Sequence, residues 1–367
     1  MIKRILVLIV ALSFVVSCSE SDDSGGGSTD NFDRGAMLTF LADNIIIPAY
    51  QDLDSKLLTL ELSAFEFSAA PNQTNLDILR ADWLDAYITW QHVEMFNIGK
   101  AEETLYHFQM NIYPANTSDI ENNVASGTAD LTHPNNNDAV GFPALDYLIY
   151  GLGDTDQAIL DTYTTHPDAP KYHAHLNALA MQMRSITQTV LNDWTTSYRS
   201  EFIGSTANTA TSATNKLVND YIYYFEKGLR ANKIGIPAGN FSVIPLPETV
   251  EALYSKEASK VLAQEALTAA IDVFNGKAYN STTTGISYSS YLSFLNRDDL
   301  VTAINDQFQE SEDKMELLSD SFYDQVNADN TKMTQTYDAL QAAVVLLKVD
   351  MLQAFNISVD YIDGDGD

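Results

Sequence analysis

The sequence predicts an all-α protein of two packed helical bundles, and three observations carry that prediction. Apolar residues recur at spacings of three, four and seven along most of the chain, which is the period of one helix face, while period-two alternation is scarce. Clusters of Gly, Pro, Ser and Thr divide the periodic stretches into lengths suited to bundle helices. The chain has 367 residues, more than one core usually organises, so two domains are the default and a single large domain the alternative.

In chain order, residues 1–17 read as a lipoprotein signal peptide. MIKRILVLIVALSFVVSC carries Lys3 and Arg4, then an apolar run from Ile5 to Val16 that is short for a bilayer span. Its end, Val15-Val16-Ser17-Cys18, looks like a bacterial lipobox, in which cleavage precedes the cysteine and the thiol is lipidated. Cys18 is the only cysteine, so no internal disulfide is open to it, and a lipid anchor in the membrane accounts for it. Residues 18–35 follow as a flexible, acidic, Gly-rich tether. Acidic residues just after such a cysteine resemble the surface-export signal of Bacteroidetes lipoproteins, which implies an outer-membrane location exposed at the cell surface.

The first bundle is expected over 36–203. Leu38, Leu41, Ile45, Leu53, Leu57, Leu60 and Ala64 line one face of a helix over 36–69, with a kink expected at Pro48, which has no N–H to donate. A second helix spans about 74–97, with Trp83, Tyr87 and Trp90 in register, and a third covers roughly 171–200. The second bundle, 208–357, shows helical patterns at roughly 212–234, 247–275, 298–327 and 330–357, followed by an acidic tail, 358–367. GFPALDYL at 141–148 and GISYSSYL at 285–292 share a glycine, a following hydrophobe and a Tyr-Leu pair, the pattern an internal duplication of the bundles would leave.

Fifty acidic against 20 basic residues give a formal net charge of −30. That balance repels phosphate backbones, so no nucleic acid partner is expected; it favours cationic or metal-bearing ligands and also serves solubility. The sequence holds no Ser/His/Asp order, phosphate loop or dinucleotide fingerprint.

Two carboxylates draw the search for chemistry. The stripe Trp83, Tyr87, Trp90 is read as core, and its next helical step lands on Glu94. A carboxylate on a buried face must be paired, protonated or metal-bound; a helix ending near Gly99 leaves it exposed instead. In GFPALDYL, Pro143 suits the first turn of a helix that the upstream Asn and Asp residues are placed to cap, and Asp146 becomes a helix-start carboxylate favoured by the dipole. The six histidines form no HExxH pattern, and His173 and His175, two apart, point to opposite sides of a helix. Asp360, Asp363, Asp365 and Asp367 look like the start of a calcium loop without its closing glutamate, or a solvated terminus.

WLDAYITWQHVEMFNIG resembles the N-terminal helix of the imelysin family, with paired tryptophans followed by a Glu and a Phe. Asn135 to Gly151 falls where that family has its GxHxxE signature, and YYFEKGLRANKIGIPAG and LLKVDMLQAFNISVDYIDGDGD resemble its later helices and C-terminal end. The resemblance covers nearly all of the mature chain. It implies two helical bundles with a site near their junction, and either metallopeptidase activity or a part in ferrous-iron uptake, with the signature His and Glu on a metal. Carried over, Gly141 matches the glycine, Pro143 replaces the histidine, Asp146 replaces the glutamate, and Trp90 and Glu94 match the second tryptophan and the glutamate after it. Zinc hydrolysis wants about three protein ligands, usually including histidine. With Pro143 in that place, the expectation is a non-catalytic ligand-binding lipoprotein in iron or metal uptake, with Glu94 and Asp146 as oxygen ligands for iron or calcium. A metallopeptidase and an interaction module with a degenerate site are the alternatives.

Overall fold

Among residues 30–361, which the computed structural model describes, there is no strand, and one isolated bridge, Lys277 to Thr284, is the sole extended pairing. The expectations for the signal peptide, for Cys18 and most of the tether, and for Asp363, Asp365 and Asp367 lie outside those residues.

The first helix runs α-helically over Arg34–Leu41, widens to π winding over Ala42–Ile46, and resumes as α-helix over Ile47–Ala69. Pro48 falls in the first turn of the resumed helix, where its missing N–H does least harm, and the change of winding sits at the expected interruption. Gln73–Trp90 packs on Ile47–Ala69, which packs in turn on Ala169–Asp193. Its start is fixed by the Asn72 side chain, which accepts from the Asn75 N–H at 3.1 Å, a cap worth about 1 kcal/mol.

A second set follows. Ala213–Tyr223 continues into a π-wound stretch, Tyr224–Gly235, that packs against Thr331–Val345, and Asp298–Glu316 packs on both Thr331–Val345 and Ser259–Asn275. Ser259–Asn275 also touches Gln73–Trp90, and the buried apolar residues of both sets form one continuous core.

Three helices are shorter than their apolar patterns. The second ends at Trp90, short of the expected 97, and turns continue through Met95. Asp298–Glu316 stops well before 327, and Phe322–Ala328 starts afresh with Ser321 accepting from the Asp324 N–H. The pattern over 247–275 opens with one 3-10 turn, Pro247–Thr249, and becomes α-helix only from Ser259, because Ala252 and Lys256 take left-handed conformations (φ +57° and +60°) that stop regular winding.

Between 100 and 165 the chain forms short helices, among them Gly141–Asp146, which sits on the aromatic stripe. Phe142 stacks on Tyr87 at 4.3 Å, and the Trp83 indole donates to the Phe142 carbonyl at 3.1 Å. Trp83, Tyr87 and Trp90 are fully buried, as a core stripe should be, each worth on the order of 2–3 kcal/mol of apolar burial. The short helix opens on Val140 with no side-chain cap, so the upstream Asn and Asp residues do not cap it. Gly141 is required there: its φ is +75°, and a Cβ would lie 2.2 Å from the Met110 carbonyl oxygen. In the other octet the helix begins only at Tyr288, capped by Ser287 and Ser290, so the two octets enter their helices differently.

Candidate functional site at the helical junction

The turn after Gln73–Trp90, the π-wound Tyr224–Gly235 and the segment 250–258 meet at a buried polar cluster. Lys233 is its centre, 1% exposed along its side chain. Its Nζ donates to Glu251 Oε2 at 2.7 Å and lies 3.6 Å from Glu94 Oε2. Asn111 bridges the two carboxylates, its Nδ2 donating to Glu94 Oε1 and to Glu251 Oε1, each at 2.9 Å. Tyr87 donates to Asn111 Oδ1 at 2.5 Å, which orients the amide. Gln91 adds a longer bond to Glu251 at 3.4 Å, and the Lys233 ammonium lies 6.0 Å from the Tyr113 ring centroid.

The electrostatics follow from that geometry. Burial raises the Glu94 carboxyl above its ordinary range; Lys233 pulls it back, Glu251 pushes it up, and Asn111 and Trp90 stabilise the anion. Burial, reinforced by the two carboxylates, holds the Tyr87, Tyr113 and Tyr224 hydroxyls well above the usual tyrosine range, so they remain donors. An ammonium held between two carboxylates supplies the charge that a cation would otherwise bring. Stripping Lys233 out leaves two buried anions uncompensated, a loss of about 3–5 kcal/mol.

Asp146 is spent differently. It is 1% exposed and lies mid-helix, where Gly141–Asp146 widens into the π-wound Tyr147–Gly151, instead of at a helix start, and its carboxylate accepts the Tyr254 N–H at 2.8 Å and the Ser255 N–H at 2.9 Å. It thereby closes the left-handed turn that carries Glu251 three residues earlier. Burial pushes its carboxyl up to about 7 against the downward pull of those two amides.

The sequence candidates are thus distributed over two neighbouring features. Glu94 joins Lys233 and Glu251; Asp146 anchors the 250–258 turn; Gly141 and Pro143 are buried in the short helix; and Trp90 packs edge-on against Tyr106 at 5.2 Å. Glu94 and Asp146 share no partner among the described residues, where no three His, Cys, Asp or Glu side chains gather as a metal-binding group. The histidines lie elsewhere: His92 pairs with Glu265 at 2.6 Å, His173 bonds the Tyr163 carbonyl, and burial lowers His107 and His175 to about 4. Asp360 donates its backbone N–H to Asn219. Sequence reasoning missed Asn111, Lys233 and Glu251. One signal was present: Glu226, Arg230 and Lys233 repeat at four and three, which puts them on one face of a helix, and all three are buried.

Fold and junction together define an all-helical protein with a buried carboxylate–ammonium cluster where its two helical sets meet. The imelysin family profile matches residues 46–350, and the chain belongs to that family. Two solved structures share its fold. An imelysin-like protein from Psychrobacter arcticum has 17% identity and a TM-score of 0.71; a putative iron-regulated protein A precursor from Parabacteroides distasonis has 18% and 0.72. Each match covers 90% of this chain and 97% of the other. No curated protein matches the chain.

A pH experiment isolates Asp146. Its folded pKa lies above that of an unfolded aspartate, so its contribution to stability is fully present below about pH 4 and is lost as pH rises through about 7. Asp146→Asn loses an acceptor for one backbone N–H and is expected to destabilise by about 1–3 kcal/mol at acid pH. In denaturant melts at several pH values, the gap to the unmodified protein should narrow as pH rises through neutrality; a gap that widens contradicts the assignment.

Proposed function

We propose that this chain is a membrane-tethered, non-hydrolytic binding member of the imelysin family. The observation that carries the reading is the place of Lys233. A divalent ion bridging Glu94 and Glu251 would have to occupy the ammonium's position, and Pro143 stands where the family's ligand histidine is found. Asp146 is already committed to two backbone amides. A hydrolytic metal centre needs ligands free to coordinate and an open position for water, and this junction offers its carboxylates to its own lysine. The related structure named for iron regulation raises iron as a ligand; on this reading the junction takes iron or calcium only when Lys233 is displaced. The helical sets 36–203 and 208–357 are read as products of an internal duplication on the shared Gly, hydrophobe and Tyr-Leu of the two octets alone, since the octets enter their helices differently.

Thermal melts with Fe(II) or Ca(II) test the junction. The unmodified protein is expected to show no metal-dependent change, whereas Lys233→Ala, destabilised without metal, should regain stability as the cation is titrated and lose it again with chelator. If the variant does not fold alone, refolding with and without Ca(II) gives the same readout. Equal stabilisation of the unmodified protein, or chelator-sensitive proteolysis by it, contradicts the reading.

The tether rests on the lipobox-like Val15-Val16-Ser17-Cys18 and the acidic residues after it, which favour an outer-membrane, surface-exposed lipoprotein. No helix of the described residues is long and apolar enough to cross a membrane. Cys18→Ser should move the protein from the membrane to the soluble fraction and abolish its labelling by a clickable palmitate analogue; retention of both overturns the tether.

A further inference from the structure

On the far side of the turn held by Asp146 lies a cleft of about 650 Å³, bounded by residues 150–154, the segment 248–256 and Tyr323. We propose that this cleft binds a neutral oligosaccharide, with Tyr150, Tyr254 and Tyr323 packing against the C–H faces of the sugar rings and Asp154, Glu248 and Lys256 engaging the hydroxyls. The inference rests on the binding reading above and gives it a site and a ligand class.

The aromatic wall is built in advance of any ligand. Asp146 fixes the backbone of Tyr254, and Tyr147 meets the Tyr254 ring edge-on at 5.2 Å. Gly151 leaves room for that ring, since a Cβ there would lie 2.6 Å from Tyr254. Tyr150 is backed by the Arg80 guanidinium, 4.3 Å from its centroid, and Arg80 is itself fixed by Asp156 at 2.8 Å and the Ile149 carbonyl at 3.0 Å. Burial raises the Tyr150 hydroxyl to about 12, so it stays a neutral donor. Held rings lose little conformational freedom on binding, which is the condition for a useful aromatic contact.

The rim has the complementary property of being unspent. Asp154, Glu248 and Lys256 are exposed, and neither they nor the three tyrosine hydroxyls have a hydrogen-bond or ion-pair partner among the described residues. Lys256 lies 5.7 Å from the Tyr323 ring centroid.

The lining selects among ligand classes. An anion meets two carboxylates and a strongly acidic chain. A quaternary ammonium meets like charge from Arg80 beside Tyr150 and from Lys256 beside Tyr323, which a neutral ligand does not. An acyl chain finds Leu253 as its one aliphatic contact. A peptide strand finds no sheet edge among the described residues to pair with. A neutral polyhydroxylated ligand uses what remains, namely ring faces, acceptor carboxylates and donor hydroxyl and ammonium groups, and the volume lies within the common range for ligand clefts.

Saturation-transfer NMR and calorimetry on the full chain, in a non-glycosidic detergent, test the proposal with maltotriose, cellotriose and triacetylchitotriose as probes and the peptide (Gly-Ser)₃ as comparison. Saturable binding of at least one trisaccharide is expected, weakened about tenfold by Tyr323→Ala, which also gives up core packing, and by Asp154→Asn, an exposed change whose melting temperature should be unchanged. No saturation with any trisaccharide, binding undiminished in both variants, or binding of the peptide alone overturns it. Such a failure leaves the metal titration of Lys233 untouched, so the two readings fail separately.

Discussion

The Lys233 ammonium, buried between the Glu94 and Glu251 carboxylates, is the interaction on which the junction depends. Its two carboxylate partners and the amide that bridges them come from separate parts of the chain: Glu94 from the turn after the tryptophan helix, Asn111 from the end of a short helix, and Glu251 from the left-handed turn before Ser259. Buried charges are tolerated only when paired and hydrogen-bonded, so these segments are held in register by electrostatics as well as by the aromatic core beneath them. The cluster is weak evidence for net stability, because desolvation offsets much of the attraction, but strong evidence for a fixed arrangement: removing any one member leaves the others uncompensated.

The turn at 250–258 ties the chemistry together. Its two left-handed residues, Ala252 and Lys256, are an unfavourable backbone choice for residues with a Cβ. Asp146 holds that conformation by accepting two consecutive N–H groups that a helix would otherwise have used. One face of the turn then offers Glu251 to Lys233, and the other presents Tyr254 to the tyrosine-lined cleft. The short helix that carries Asp146 is thus a structural clamp on this turn.

Much of the architecture was legible in the sequence, because Leu53, Leu57, Leu60 and the Trp83–Tyr87–Trp90 stripe announce helix faces whatever their neighbours do. Pro48 marked the change in winding. Other features had no local signature. The 247–258 pattern reads as helix, and only an acceptor 108 residues away in sequence diverts it into a turn. The fate of Glu94 was undecidable for the same reason, since its helix ends at Trp90 and yet its side chain stays 13% exposed, held by Asn111 and Lys233 from distant segments. Glu251 and Asn111, 140 residues apart, carry no shared pattern. The Glu226, Arg230, Lys233 spacing was the one visible trace of the cluster.

The central claim is that Lys233 and Glu251 form a buried, mutually dependent pair that fills the junction. A double-mutant cycle in denaturant unfolding, with Lys233→Met, Glu251→Gln and both together, measures that dependence directly. The structure predicts a favourable coupling of about 2–3 kcal/mol, with the double variant recovering much of what either single change loses. A coupling within about 0.5 kcal/mol of zero contradicts it, because additive losses belong to residues that do not share a site.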